Sequence, residues 1–169
     1  MDILQSLSET LPPTQPIIWV CIGTDRSTGD SYGPLIGTFL QQTKPSFPFL
    51  GTLAAPVHAV TLPDAIAQVR QYYKNYTVVA IDACLGKSSN VGKIRCGVGP
   101  IQPGAGVHKR LESIGDYNVT AVVNVGGCME YFVLQNTRLN LVYNMARATA
   151  DAILAWEEGR QGMLQVASS

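Results

Sequence analysis

Three apolar runs constrain the fold of this chain most strongly. They read IIWVCI (17–22), TVVAID (77–82) and VTAVVNV (119–125), and none alternates apolar with polar residues along its length. Such runs, rich in β-branched residues, are typical of strands covered on both faces of a sheet. Segments with helical spacing lie between or after them. The alternation predicts an α/β fold, a three-layer α/β/α sandwich around a mostly parallel sheet.

The helical segments are indicated by apolar stripes and start signals. Residues 32–42 combine Pro34 in the first turn with a stripe at Leu35, Ile36, Phe39 and Leu40. A second helix is predicted to begin near 61–64, and a long amphipathic helix is predicted over about 138–157. Weaker signals indicate a short strand near 57–60 and another over 93–98.

The chain length and its two ends predict one domain. At 169 residues the chain suits a single core, and no repeat or second domain is visible. Residues 1–16 are acidic and proline-rich and predict an N-terminal arm with a short helix near its start. We therefore expect a single domain over 17–158 and a C-terminal tail over 159–169.

The composition and net charge of the chain limit the kinds of binding partner that we expect. Hydrophobic residues make up 46% of the chain and charged residues 14%, and twelve Lys and Arg balance twelve Asp and Glu. A chain without net charge or charged runs gives no reason to expect a nucleic-acid or membrane partner. The four cysteines form no CxxC pair, which favours reduced thiols and a cytoplasmic location.

The loops that follow the strands are the predicted site. Ligands of open α/β sheets bind beyond the carboxyl ends of the strands. This rule brings together loops 23–31, 83–92 and 126–129, and it places Asp30 and Asp82 in the same region.

The first of these loops does not fit a phosphate-binding motif. It belongs to the stretch CIGTDRSTGDSYGP (21–34), in which the Gly23 to Gly29 spacing is one residue too long for a P-loop. Asp30 and Ser31 also follow where Lys and Ser or Thr are needed, and no GxGxxG triplet follows the strand. A carboxylate near the start of a helix would occupy the place of a phosphate.

Two chemical interpretations of the carboxylates remain open. Asp30 and Asp82, held close together, would share one proton and act as an acid and a base. Together with an imidazole, for which His108 is the candidate, they would hold a divalent cation. The simpler alternatives are that Asp30 caps a helix, that Asp82 bonds nearby N–H groups, and that His108 is an ordinary loop residue.

Four stretches of the sequence resemble a known family. They are CIGTDRSTGDSYGPLIGTFL, VVAIDACLGK, GVGPIQPGAGVHKRL and FVLQNTRLNLVYNMA, in this order along the chain. They resemble the sporulation protein YyaC family, a domain of unknown function. The first three are also similar to germination protease and, more distantly, to hydrogenase-maturation endopeptidases. The resemblance implies a phosphorylase/hydrolase-like, peptidase-like fold.

The resemblance also implies roles for individual residues. Asp30 matches a carboxylate of germination protease, and Asp82 matches its second proposed catalytic Asp. In the maturation endopeptidases the equivalent positions bind nickel together with a His, for which His108 is the loose match. The implied function is a spore-associated hydrolase that cleaves peptide bonds during sporulation or germination, in the cytoplasm of the mother cell or forespore. The enzyme would be an aspartic-type or a metal-dependent peptidase.

The expected ligand is a protein or peptide substrate. We expect Gly23, Thr24, Gly104 and Gly106 to donate backbone N–H groups to it. The carboxylate pair needs no cofactor, whereas the metal alternative needs nickel or zinc held by Asp30, Asp82 and His108. A third alternative is a protein that binds a peptide or partner in the same cleft without turnover. The sequence sets no oligomeric state, and a homo-oligomer is compatible with it.

Overall fold

A five-stranded sheet forms the centre of the computed structural model, which describes residues 2–103 and 111–167. The strands are β1 (Ile17–Cys21), β2 (Phe49–Leu50), β3 (Thr77–Gly86), β4 (Ile94–Val98) and β5 (Tyr117–Val125). Their order in the sheet is β2-β1-β3-β5-β4. All neighbouring pairs are parallel except β4, which runs antiparallel to β5 at one edge. The predicted mostly parallel α/β fold is confirmed.

Helices cover both faces of the sheet. They are α1 (Ile3–Thr10), α2 (Tyr32–Thr43), α3 (Leu62–Tyr72), α4 (Glu130–Gln135) and α5 (Leu139–Ala167). Alternate residues of β1 point to opposite sides, so Trp19 joins a core with α1, α2 and α5, whereas Ile18 and Val20 join a second core with α3. Every residue of β1 is buried, which explains its unbroken apolar sequence.

The strands β2 and β3 lie on opposite sides of β1 in the sheet. From β1 the chain crosses through α2 to β2 on one side, and it then returns through α3 to β3 on the other side. Neighbouring strands whose connections leave in opposite directions open a crevice at their carboxyl ends. The fold therefore places its natural ligand crevice beyond β1 and β3.

Both ends of the chain are more integrated than the sequence predicted. Within the expected arm 1–16, Leu7 of α1 is fully buried in the larger core. Within the expected tail 159–169, α5 continues to Ala167, where the sequence predicted a helix ending near 157. The compact unit therefore extends beyond the predicted boundaries of 17–158. Among the described residues, no helix is long and apolar enough to cross a membrane.

Gly159 provides a test of this longer helix. It lies inside α5, and a Cβ added there would meet no atom of the described residues within 4 Å. Because Ala is favoured over Gly in a helix interior, Gly159→Ala should stabilise the protein by about 0.5–1 kcal/mol. Urea unfolding measures this change. An unchanged midpoint would contradict a formed helix at this position.

Candidate active site

The turn after β1 is held by Gly23. Its φ of 145° is one that other residues rarely adopt, and a Cβ there would lie 1.9 Å from the Asp30 carbonyl oxygen. The Thr24 N–H donates to that same carbonyl at 3.0 Å. The close backbone contact folds the turn back on itself and fixes Asp30 beyond the end of β1.

Asp30 lies in a single 3₁₀ turn, Gly29–Ser31, directly before α2. The residue before this turn is Thr28 and the residue before α2 is Ser31, so Asp30 occupies neither capping position. The simpler interpretation of Asp30 as a helix cap is therefore wrong. Its carboxyl group faces a cavity instead.

Asp82 lies inside β3, which continues past the strand end predicted at residue 82 and into the predicted loop 83–92. The strand continues to Gly86 because it pairs with the long strand β5, opposite which Asp82 meets Thr120. On its other side, β1 ends one position earlier, where Cys21 pairs with Ile81. Asp82 therefore lies next to the point where β1 leaves the sheet, which opens space beside its carboxyl group.

One cavity of about 280 Å³ is lined by both Asp30 and Asp82. Its walls come from the turn after β1, the segment before α3, the end of β3, and α4. The apolar part of the wall consists of Ile22, Ala59, Val60, Ala83, Leu85, Pro103, Leu111 and Leu134. An apolar concave wall with a few converging polar groups is the usual character of a small-ligand or peptide site.

The pKa values of the two carboxyl groups are both raised, that of Asp82 more than that of Asp30. Burial raises the pKa of Asp82 well above its ordinary value of 3.8, and the charge of Asp30 raises it further, although the Ala83 N–H that donates to Oδ1 at 2.8 Å opposes the shift. Burial also raises the pKa of Asp30, which the neighbouring Ser27 side chain partly opposes. The site therefore favours a proton on Asp82 while Asp30 ionises more readily.

Ser27 adds an unsatisfied polar group to the cavity wall. Its side chain is 6% exposed, and its Oγ has no hydrogen-bond partner among the residues that the structure describes. Ser27 therefore lies near Asp30 without forming a hydrogen bond to it. A buried hydroxyl left without a partner is unfavourable, so this wall is suited to a polar ligand.

The predicted substrate contacts of Gly23 and Thr24 need correction. Both residues line the cavity. However, the Gly23 N–H donates to the Val57 carbonyl at 2.9 Å and the Thr24 N–H donates to the Asp30 carbonyl at 3.0 Å. Because both N–H groups are used to hold the turn, the expectation that they donate to a substrate is wrong.

Among the described residues, the metal-binding alternative has no third ligand. Gly104, Gly106 and His108 lie outside the described residues. Across 2–103 and 111–167, no group of three His, Cys, Asp or Glu residues is arranged to hold a metal ion. Asp30 and Asp82 offer two carboxylate donors, so a nickel or zinc site with His108 stays a prediction.

Two parts of the cavity wall were not predicted from the sequence. His58 lines it because an isolated bridge joins Val57 to Ile22, where the sequence predicted a strand over 57–60. Tyr131 and Leu134 line it from α4, a six-residue helix that is too short for a helical period to be visible. The loop 126–129, expected at this site, instead lines a separate surface depression.

Two solved structures that share this fold are maturation proteases. Similarity extends to a [NiFe] hydrogenase maturation protease, HycI, of Thermococcus kodakarensis KOD1, with a TM-score of 0.57 and 15% identity over 92% of this chain and 98% of that one. The HybD maturation protease of Thermococcus kodakarensis gives a TM-score of 0.50 and 12% identity over 83% and 98% of the two chains. The chain therefore has a peptidase-like α/β fold.

Sequence comparison identifies the family. The model of the DUF1256 family, a protein of unknown function, matches residues 1–152. The chain is 51% identical over 157 residues to the uncharacterized protein YyaC of Bacillus subtilis (strain 168), covering 89% of this chain and 77% of that protein. The chain belongs to the DUF1256 family, and the resemblance inferred from the four sequence stretches is confirmed.

Proposed function

We propose that this protein is a peptidase that hydrolyses peptide bonds with Asp30 and Asp82. The observation that carries the proposal is the shared cavity, in which burial and the charge of Asp30 raise the pKa of Asp82. Paired carboxyl groups with separated pKa values are suited to simultaneous acid and base catalysis. The peptidase-like fold supports the same chemistry.

The difference between the two carboxyl groups assigns their roles. Asp30, the group that ionises more readily, takes a proton from a water molecule as its oxygen bonds to the peptide carbonyl carbon. Asp82, held protonated, gives its proton to the peptide nitrogen as the C–N bond breaks. The products are a carboxylic acid and an amine, and a proton passes from Asp30 back to Asp82 through solvent before the next cycle.

The substrate and setting follow from the cavity and the family resemblance. Apolar residues line part of the wall beside the polar ones, which suits a peptide with an apolar side chain near the scissile bond. The resemblance to sporulation proteins supports a substrate among spore proteins and action in the cytoplasm of the mother cell or forespore. No nucleic acid or membrane is needed as a partner.

A cleavage assay tests the proposal. The purified wild type and the Asp30→Asn/Asp82→Asn double variant are incubated with spore-coat proteins, small acid-soluble spore proteins and casein between about pH 4 and pH 8, the range in which such a pair would act. Mass spectrometry identifies the fragments. We expect fragments from the wild type that are reduced by at least about 100-fold in the double variant. Identical fragments from both would contradict the proposal.

The same assay distinguishes the other two interpretations. A binding protein would retain peptides without cleaving them, and its apolar cavity is compatible with that role. A metal-dependent peptidase would lose cleavage after chelation and regain it with nickel or zinc, and His108→Ala would weaken metal binding. Cleavage that survives chelation and depends on both carboxylates supports the carboxylate pair without metal.

A further inference from the structure

The segment before α3 holds His58 rigidly at the cavity. The Thr61 hydroxyl oxygen accepts the His58 N–H at 3.0 Å and donates to the Pro56 carbonyl at 2.8 Å. The His58 carbonyl accepts the N–H groups of Thr61 at 3.0 Å and Leu62 at 2.8 Å. These bonds fix the backbone of His58 in the turn before α3, so its half-buried side chain has a defined place in the wall.

The hydrogen bonds of the ring define where its proton lies. Nδ1 accepts the Val60 N–H at 3.2 Å, so Nδ1 carries no proton. The proton of the neutral ring is then on Nε2. In the described part of the chain, Nε2 has no protein partner, and the ring is one of the cavity walls. His58 thus offers the cavity a fixed N–H donor.

We propose that the Nε2–H of His58 donates a hydrogen bond to a carbonyl oxygen of the bound peptide. This inference rests on the proposed peptidase function. The Gly23 and Thr24 N–H groups are used within the protein, and Asp30 is an acceptor when ionised, so a donor from the segment before α3 complements the carboxylate pair. A fixed donor that binds a carbonyl oxygen also stabilises the negative charge that develops there during hydrolysis.

The ring tautomer tests the inference without a substrate. The chain has only two histidines, so nitrogen NMR of the wild type and of His58→Asn identifies the His58 signals. We expect at pH 7.5 a protonated Nε2 and an unprotonated Nδ1. A proton on Nδ1 would overturn the inference whether or not the protein cleaves peptides.

Two variants then test the contact with the substrate. In His58→Asn the amide oxygen can still accept the Val60 N–H, but the donor at Nε2 is lost, whereas His58→Gln places an amide N–H near the Nε2 position. We expect kcat/KM to fall about 10–100-fold in the Asn variant, because removing a single donor to a developing oxyanion slows the reaction. The kcat/KM of the Gln variant should be at least about fivefold higher than that of the Asn variant. Asp25→Asn, an exposed turn residue outside the cavity wall, should behave as wild type.

The outcomes separate this inference from the proposed function. Equal losses in the Asn and Gln variants would show that His58 acts only through structure, and no loss in either would show that it does not contribute to cleavage. Either result would overturn the inference, while cleavage by the wild type would still support the peptidase. Absence of cleavage by the wild type would defeat the proposed function. The tautomer would then decide whether His58 is a donor to the cavity.

Discussion

Asp82→Asn is expected to make the protein more stable at neutral pH and, at the same time, inactive as a peptidase. Burial and the charge of Asp30 raise the pKa of Asp82 well above 3.8. An acid with a raised folded-state pKa contributes its full stability below the unfolded pKa and loses it as the pH rises through the folded pKa. At neutral pH the folded wild type therefore keeps a proton on Asp82 that the unfolded chain releases, and the Asn variant does not carry this cost.

The expected size of this effect depends on pH. Near pH 4, where Asp82 is protonated, the two proteins should melt at similar temperatures. At pH 8 the Asn variant should melt roughly 2–6 °C higher, since 1 kcal/mol corresponds to about 2–4 °C in a domain of this size. Differential scanning calorimetry across this range measures the change.

Asp25→Asn is the matched control for Asp82→Asn, because Asp25 is an exposed residue of the turn after β1. Its melting temperature should follow that of the wild type at every pH. A pH-independent difference for Asp82→Asn, or a lower melting temperature at pH 8, would contradict a carboxyl group held protonated by burial. Loss of activity in a more stable variant would mark Asp82 as a residue retained for function at the expense of stability.

Glu157→Ala is expected to destabilise the protein strongly. Glu157 is 1% exposed, and it accepts hydrogen bonds from Trp19 Nε1 at 2.9 Å and from Arg160 Nε at 3.0 Å. Arg160, itself 9% exposed, also donates to the Gln15 carbonyl at 3.2 Å. Removing the carboxylate leaves Arg160 buried without its charge partner, which costs about 3–5 kcal/mol.

Guanidinium unfolding measures the cost of Glu157→Ala. The neighbouring residue supplies the control, since Glu158 is exposed and Glu158→Ala should change the free energy of unfolding by less than about 0.5 kcal/mol. Glu157→Gln keeps an acceptor for Trp19 but loses the charge, so it should lie between the two. Equal midpoints for all three variants would contradict a structural role for the end of α5.

The sequence predicted the fold where local pattern and tertiary structure agree. The unbroken apolar run of β1 needed only burial on both faces to form as predicted. The prediction failed where contacts between residues far apart in the sequence determine the structure. Glu157 and Arg160 look like surface residues in a helical period, and only the approach of Trp19 makes them a buried pair. The predicted end of α5 was too early for this reason.

The candidate site, like the fold, was predictable only where it does not depend on contacts between distant residues. The rule for strand ends brought Asp30 and Asp82 together because it depends on topology alone. The position of His58 could not be predicted, since it follows from one bridge between Ile22 and Val57. The hydrogen bonds that use the Gly23 and Thr24 N–H groups depend likewise on contacts far apart in the sequence. The catalytic roles of the two carboxylates stay a prediction.

The most direct test of the carboxylate pair is the pH dependence of cleavage of one substrate by the wild type, Asp30→Asn and Asp82→Asn, each measured with a chelator present. We predict a bell-shaped profile for the wild type, because one carboxyl group must be ionised while the other is protonated, and a loss of at least about 100-fold in each single variant at every pH. Cleavage by either variant within about threefold of the wild type would contradict the account.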